Sequence, residues 1–165
     1  MRTLGIIIIS LIPTAVGALA YQRLAKSYRL LRDIKQLCLV LSEQMRFSLK
    51  SPTELFEFIK REPNFSRSVK EIIEAVSQKT EYGEIFSSIE ALPDGAYIKG
   101  QIGPLCDMFY GLGKSDLEAQ LSHLGYFSAL FSAEEERVKE ELNTKSRLWL
   151  GLSFSLSAAV FVILI

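Results

Sequence analysis

The sequence predicts an all-α fold, a bundle of about six helices in a soluble part flanked by N- and C-terminal transmembrane helices. Three observations lead there. Residues 3–22 and 148–165 carry no charge, whereas every charged side chain except Arg2 lies between Arg23 and Arg147. Within that polar middle, apolar residues recur three and four apart, and no alternating stretch suits a strand. Ser-Pro, Pro-Asp-Gly and Gly-x-Ser-Asp signals break the middle into lengths that fit short helices joined by tight turns.

The uncharged ends come first. As helices they would span roughly 30 and 27 Å, close to the hydrocarbon thickness of a bilayer. Arg2, the apolar run and Ala18-Leu19-Ala20 also resemble a signal peptide with its cleavage site. The length of the run, and a helical pattern that continues from Tyr21 without a break, favour an uncleaved anchor. For 148–165 the competing reading is a buried core helix; an uncharged run of this length favours a membrane span. Arg23, Lys26, Arg29, Arg32 and Lys35 crowd the inner flank of the first segment, against Arg2 alone on the other side. Lys145 and Arg147 precede the second. The positive-inside rule then assigns residues 23–147 to the cytosol, between membrane helices at 3–22 and 148–165. Cys38 and Cys106 are two thiols with no disulfide framework, as a reducing compartment allows. With 165 residues, 23% charged and of net charge zero, the chain has room for one folded domain.

The first helix of the middle continues out of the apolar segment. Leu24, Leu31, Ile34, Cys38, Leu41 and Met45 form a stripe on one side, widened by Leu30 and Leu37. The second begins at a capping box: Ser51 caps, Pro52 takes the first helical position, and Glu54 reaches back. Leu55, Phe56 and Ile59 supply its apolar face and Pro63 limits it. A third helix is expected over about 65–80, with Val69, Ile72, Ile73 and Val76 inward, and a short fourth near 82–91 through Ile85, Phe86 and Ile89. Residues 92–95, Leu-Pro-Asp-Gly, read as a turn. A fifth helix is expected over roughly 96–112, and a sixth from Ser115 running unbroken into the last apolar segment.

The turn between the fifth and sixth helices carries Gly113-Lys114-Ser115, the tail of a phosphate-binding loop. That loop needs a glycine five positions before Gly113, where this chain has Met108, and it needs a preceding strand. A plainer reading fits: Gly113 ends one helix in the left-handed conformation, Ser115 and Glu118 form a capping box for the next, and Asp116 complements its dipole. The remaining chemistry is sparse. His123, the single histidine, has no cysteine or carboxylate at ligand spacing, so no metal or cofactor is expected. Cys106 lacks a local base and reads as a small buried thiol. Glu134, Glu135, Glu136, Glu140 and Glu141, interleaved with Arg137 and Lys139, read as a solvated face with i,i+4 pairs such as Glu135–Lys139. The basic belt from Arg23 to Lys35 adjoins an apolar segment and lacks interleaved aromatics, so it suits lipid headgroups better than nucleic acid. No enzymatic constellation is present in the sequence.

With these pieces in place the chain resembles the stage III sporulation protein AB family along essentially its whole length. The likeness rests on the N-terminal apolar segment running into a basic, leucine-rich helix and on the Ser-Pro helix start at 51–52. It rests further on a Leu-Gly-x-Ser-Asp-x-x-x-Gln corner at Leu112, Gly113, Ser115, Asp116 and Gln120, and on a second apolar segment introduced by Gly151. The resemblance implies a platform role, because the family's middle segment is similar to the cytoplasmic helical domain of platform protein F of type II secretion and type IV pilus machines. By that resemblance the protein would sit in the mother-cell membrane as a scaffold of the channel joining mother cell and forespore. It would couple a secretion-type cytosolic ATPase to other channel components, and self-association stays open. The corner residues Lys114, Asp116 and Gln120 are then the candidate partner contacts. A membrane-anchored helical sensory or adaptor protein is the alternative.

Overall fold

The computed structural model describes the backbone of residues 2–48 and 51–164, and side chains for residues 18–47, 51–145 and Leu148. Its elements are α1 (Arg2–Ser48), α2 (Pro52–Arg61), α3 (Arg67–Val76), α4 (Tyr82–Glu90), a 3-10 segment (Pro93–Gln101), α5 (Ile102–Gly111) and α6 (Leu117–Leu164). No strand occurs among the described residues. The described residues form an all-α fold with six α-helices.

The stripe on α1 organises the molecule. Leu30, Leu31, Ile34, Leu37, Cys38, Leu41 and Met45 are all buried, and Leu24 packs against the same core. Helix α6 lies along α1, its most extensive neighbour. Lys35 meets Glu135, while Tyr28, earlier on α1, lies near Lys139, later on α6, so the two long helices run antiparallel. The short helices form a second layer: α2 packs on α3, α3 on α4, α4 on α5, and α3, α2 and the 3-10 segment all touch α1. Val69, Ile72, Ile73 and Val76 of α3 are buried, as are Leu55, Phe56 and Ile59 of α2 and Ile85 and Ile89 of α4. Each large aliphatic side chain withdrawn from water in this way contributes about 1.5–3 kcal/mol before the entropy of ordering is set against it.

Local chemistry explains where the elements begin and end. The capping box of α2 is formed: the Glu54 N–H donates to Ser51 Oγ at 3.4 Å, and the Ser51 N–H donates to Glu54 Oε2 at 3.0 Å. Helix α3 is shorter than expected, starting after Ser66 and ending at Val76 rather than covering 65–80. The expected fifth helix is divided. Ile98 (φ −121°, ψ 26°) leaves helical geometry, so residues 93–101 wind as a 3-10 segment and α5 proper starts at Ile102. Pro104 fits the first turn of α5, where a missing N–H sacrifices no intrahelical bond. Gly95 accounts for the tight preceding turn: its N–H donates to Leu92 O at 3.0 Å, and a Cβ there would stand 2.5 Å from Ile89 O.

Helices α1 and α6 carry on through the uncharged ends. Most side chains of the expected spans 3–22 and 148–165 lie outside the described residues. Among the described residues no helix is long and apolar enough to cross a membrane.

Candidate functional site

The turn from α5 into α6 is the most specific feature of the sequence, and its geometry accounts for each residue of the motif. Helix α5 stops at Gly111. Leu112 turns extended (φ −65°, ψ 135°) and buries its side chain, and Gly113 follows at φ 76°. That left-handed conformation costs a residue with a Cβ about 1–2 kcal/mol. The next helix starts two residues later than expected. Asp116, not Ser115, is its cap: Asp116 Oδ1 accepts the Ala119 N–H at 2.9 Å, and Asp116 O accepts the Gln120 N–H at 3.0 Å. The expected Ser115–Glu118 capping box is therefore displaced. With α6 beginning at Leu117, Ser115 lies before the cap, and its backbone carbonyl is the group the structure uses.

Gln120 closes the corner. Its side-chain amide donates to Ser115 O at 2.6 Å, and its Oε1 accepts the Gly113 N–H at 3.0 Å. A phosphate loop needs such amides aimed outward at its anion; here Gln120 takes the Gly113 N–H. The corner is a hydrogen-bonded strap around a helix start, consistent with the structural reading of Gly113-Lys114-Ser115.

Two parts of the sequence pattern meet here. A Cβ placed on Gly113 would lie 3.0 Å from Cγ of Pro52, so the Ser-Pro start of α2 sits directly against the Leu-Gly corner. One turn further on, Phe56 and Phe109 pack edge to face with ring centroids 5.9 Å apart. Pro52 and Gly113 are 61 positions apart in the chain, yet in space the two motifs form one end of the bundle.

His123 has a role that sequence spacing did not reveal. Its Nε2 lies 3.1 Å from Met108 O, its ring packs edge to face on Phe127, and it fills the space left open by the absent side chain of Gly111. The histidine thus clamps α6 onto α5. A signal was available, since Gly111 and His123 flank the corner on both sides, yet only a structure pairs them. Among the described residues no group of three His, Cys, Asp or Glu could hold a metal ion. Cys38 and Cys106 are both free and buried; burial pushes the Cys38 thiol up to about 12, and Cys38 Sγ rests 3.3 Å from Met108 Sδ.

Of the three candidate contact residues, Asp116 and Gln120 are engaged within the corner, and Lys114 stands exposed over the face of Tyr110. Tyr110 in turn packs edge to face with Tyr82 at 5.7 Å, and both tyrosines are exposed. Asp107 is exposed beside Tyr82, and the corner carboxylates Asp116 and Glu118 are exposed as well. The outward surface of the corner is therefore a lysine and two tyrosines, with Asp107 next to Tyr82.

The basic belt divides. Arg23, Lys26, Arg29 and Arg32 are exposed along α1, with Lys26 donating to Tyr97 Oη at 3.1 Å. Lys35 turns inward and pairs with Glu135, which is buried. That pairing corrects the reading of the acidic run on α6. Leu124, Phe127, Phe131, Glu135 and Val138 lie on the buried face, so Glu135 occupies a core-stripe position. Lys139 pairs with Glu136 rather than Glu135, and Arg137 with Glu134 and Glu141.

A family model, stage III sporulation protein AB, matches residues 2–165. No curated protein and no solved structure matches the chain. The match covers the leucine-rich helix, the Ser-Pro start and the corner that the fold brings together, and the chain belongs to the stage III sporulation protein AB family.

Proposed function

We propose that this stage III sporulation protein is a non-enzymatic platform of the mother cell–forespore channel, anchored in the mother-cell membrane by residues 3–22 and 148–165. Residues 23–147 face the cytosol and couple a secretion-type ATPase to the membrane components. The observation that carries this reading is the pairing of α1 with α6, which continue as single helices from the packed middle into the two uncharged ends. A push on the middle is then transmitted along two rigid rods. The polar groups of the corner are taken up by capping and strapping, which supports leaving catalysis to a partner. The exposed Lys114, Tyr110 and Tyr82 offer that partner a surface of the kind enriched at interfaces.

Detergent extraction from sporulating cells followed by affinity capture tests the proposal. The ATPase and channel components are expected to co-purify, and Tyr110→Ala with Lys114→Ala is expected to release the ATPase while the protein stays in the membrane. Recovery of the protein in the soluble fraction, or digestion of residues 23–147 by protease added outside the cell, overturns the platform reading. The long paired helices also favour a membrane-anchored adaptor; such a protein would keep its function in cells lacking the ATPase, whereas a platform would not.

A further inference from the structure

The two long helices meet along apolar seams, and each seam holds one charge at the same place in the same spacing. On α1, Lys35 stands four residues after Leu31 and three before Cys38; on α6, Glu135 stands four after Phe131 and three before Val138. All four flanking residues are buried. Lys35 and Glu135 meet across the seam, with side-chain exposures of 28% and 10%. Among the described residues every other ion pair joins two residues of one helix, so this pair is the one that ties two elements together. The apolar contacts around it discriminate poorly between heights. Leu31, Ile34, Cys38 and Leu41 on α1, and Leu124, Phe127, Phe131 and Val138 on α6, recur every three or four residues, so a slip of one turn sets apolar side chains against apolar side chains again. The same slip sets Lys35 against Phe131 or Val138, and Glu135 against Leu31 or Cys38. Each charge then stands unpaired in the seam, an arrangement that burial penalises heavily.

We propose that the Lys35–Glu135 pair is a register pin: of the turns at which the two seams can pack, it selects the one that brings the charges together. An ion pair taken out of water is a modest source of stability, because desolvation offsets most of the attraction, yet it penalises every arrangement that parts the charges. Register is thus chosen by what the wrong arrangements cost. The choice reaches far along the molecule. Helices α1 and α6 run on as single helices into the uncharged ends, so a one-turn slip at the pair displaces one end against the other by about 5.4 Å. The use of the pin in holding two membrane helices level rests on the platform reading; the register itself does not.

The test measures the offset of the two helices in the full chain in detergent. Cys38 and Cys106 are replaced by alanine, and spin labels are placed on Gln36→Cys and Ser122→Cys, both at exposed positions. With Lys35 opposite Glu135, these sites lie about 18 Å apart along the helix axis, and a one-turn slip changes that offset by about 5.4 Å. The unaltered pair is expected to give a single distance; two distances from it overturn the proposal. Lys35→Met with Glu135→Leu is expected to fold and to melt no lower, yet to add a second population shifted by roughly 5 Å. Lys35→Glu with Glu135→Lys is expected to return the single distance. An apolar variant that keeps one unshifted distance overturns the proposal, because packing alone then sets the register. If the apolar variant does not fold, Glu135→Lys and the exchanged pair decide. Recovery of the single distance in the exchanged pair alone supports the pin, and no recovery overturns it. Loss of ATPase capture with the register intact defeats the platform reading and leaves the pin standing.

Discussion

Replacing Gly111 by Ala gives the sharpest test of how the corner is built. A Cβ at this position would run into Cε1 and Nε2 of His123, with Cδ2 at 3.3 Å, itself tighter than most Cβ contacts. The ring is not free to retreat. Its Nε2 is 3.1 Å from Met108 O, and its edge contact with Phe127 holds the centroids 4.8 Å apart. Moving it forfeits a hydrogen bond of about 1 kcal/mol and part of an aromatic contact of about 0.5–1.5 kcal/mol. Alanine's helix preference over glycine returns less than about 1 kcal/mol at a helix terminus. Gly111→Ala should therefore destabilise the fold by about 1–2 kcal/mol, a melting point lower by about 3–6 °C for a chain of this size. The assay is a circular-dichroism melt of the full chain in detergent, repeated in a His123→Ala background, where the added methyl meets open space. There Gly111→Ala should be neutral or slightly stabilising. An equal loss in both backgrounds would falsify the claim that the glycine exists to admit the imidazole.

Other expectations follow from single contacts. Asp116→Ala should cost about 1 kcal/mol and Ser115→Ala less than about 0.5 kcal/mol by the same melt, because Asp116 holds the cap; the reverse order would restore Ser115 as the capping residue. Gly113→Ala should cost about 1–2 kcal/mol, since φ is 76° and Pro52 stands close, and Pro52→Ala should relieve only the contact part. Glu135→Ala should cost about 2 kcal/mol by stranding Lys35 in a partly buried site, and the rise of unfolding with salt expected of a surface pair should be absent. The raised Cys38 thiol makes an alkaline prediction. The unfolded thiol ionises near its ordinary 9.0 while the folded one holds its proton to about 12, so stability present below 9 declines between those values. A Cys38→Ala variant should show a shallower alkaline loss in denaturant titrations from pH 8 to pH 11, and parallel curves would refute the assignment.

What was legible beforehand was whatever rests on neighbours in sequence. The α1 stripe, the capping box at Ser51, the inward residues of α3 and the left-handed Gly113 depend on periodicity or on a bond three or four residues long, and the fold realises all of them. The division of the expected fifth helix was less legible: Gly100, Gly103 and Pro104 weakened the pattern, but the distortion at Ile98 reflects packing of the 3-10 segment against α1. The buried face of α6 was hidden for a different reason. Glu135 stands in the row of Leu124, Phe127, Phe131 and Val138, and within an acidic run a carboxylate reads as solvated until Lys35, 100 residues away, is placed opposite it.

By itself, then, the sequence determined that this protein is helical, where most helices start, that its charge is confined to the middle, and which family pattern it carries. Local propensity, capping and hydrophobic period act over a few residues, and no partner from elsewhere can be read from them. Only the tertiary structure decided that Pro52 leans on Gly113, that His123 occupies the gap over Gly111, and that Asp116 and Gln120 bind their own corner while Lys114 and Tyr110 face outward. Those assignments depend on which surfaces the antiparallel pairing of α1 and α6 brings within a few ångströms, and contact at that range is set by packing.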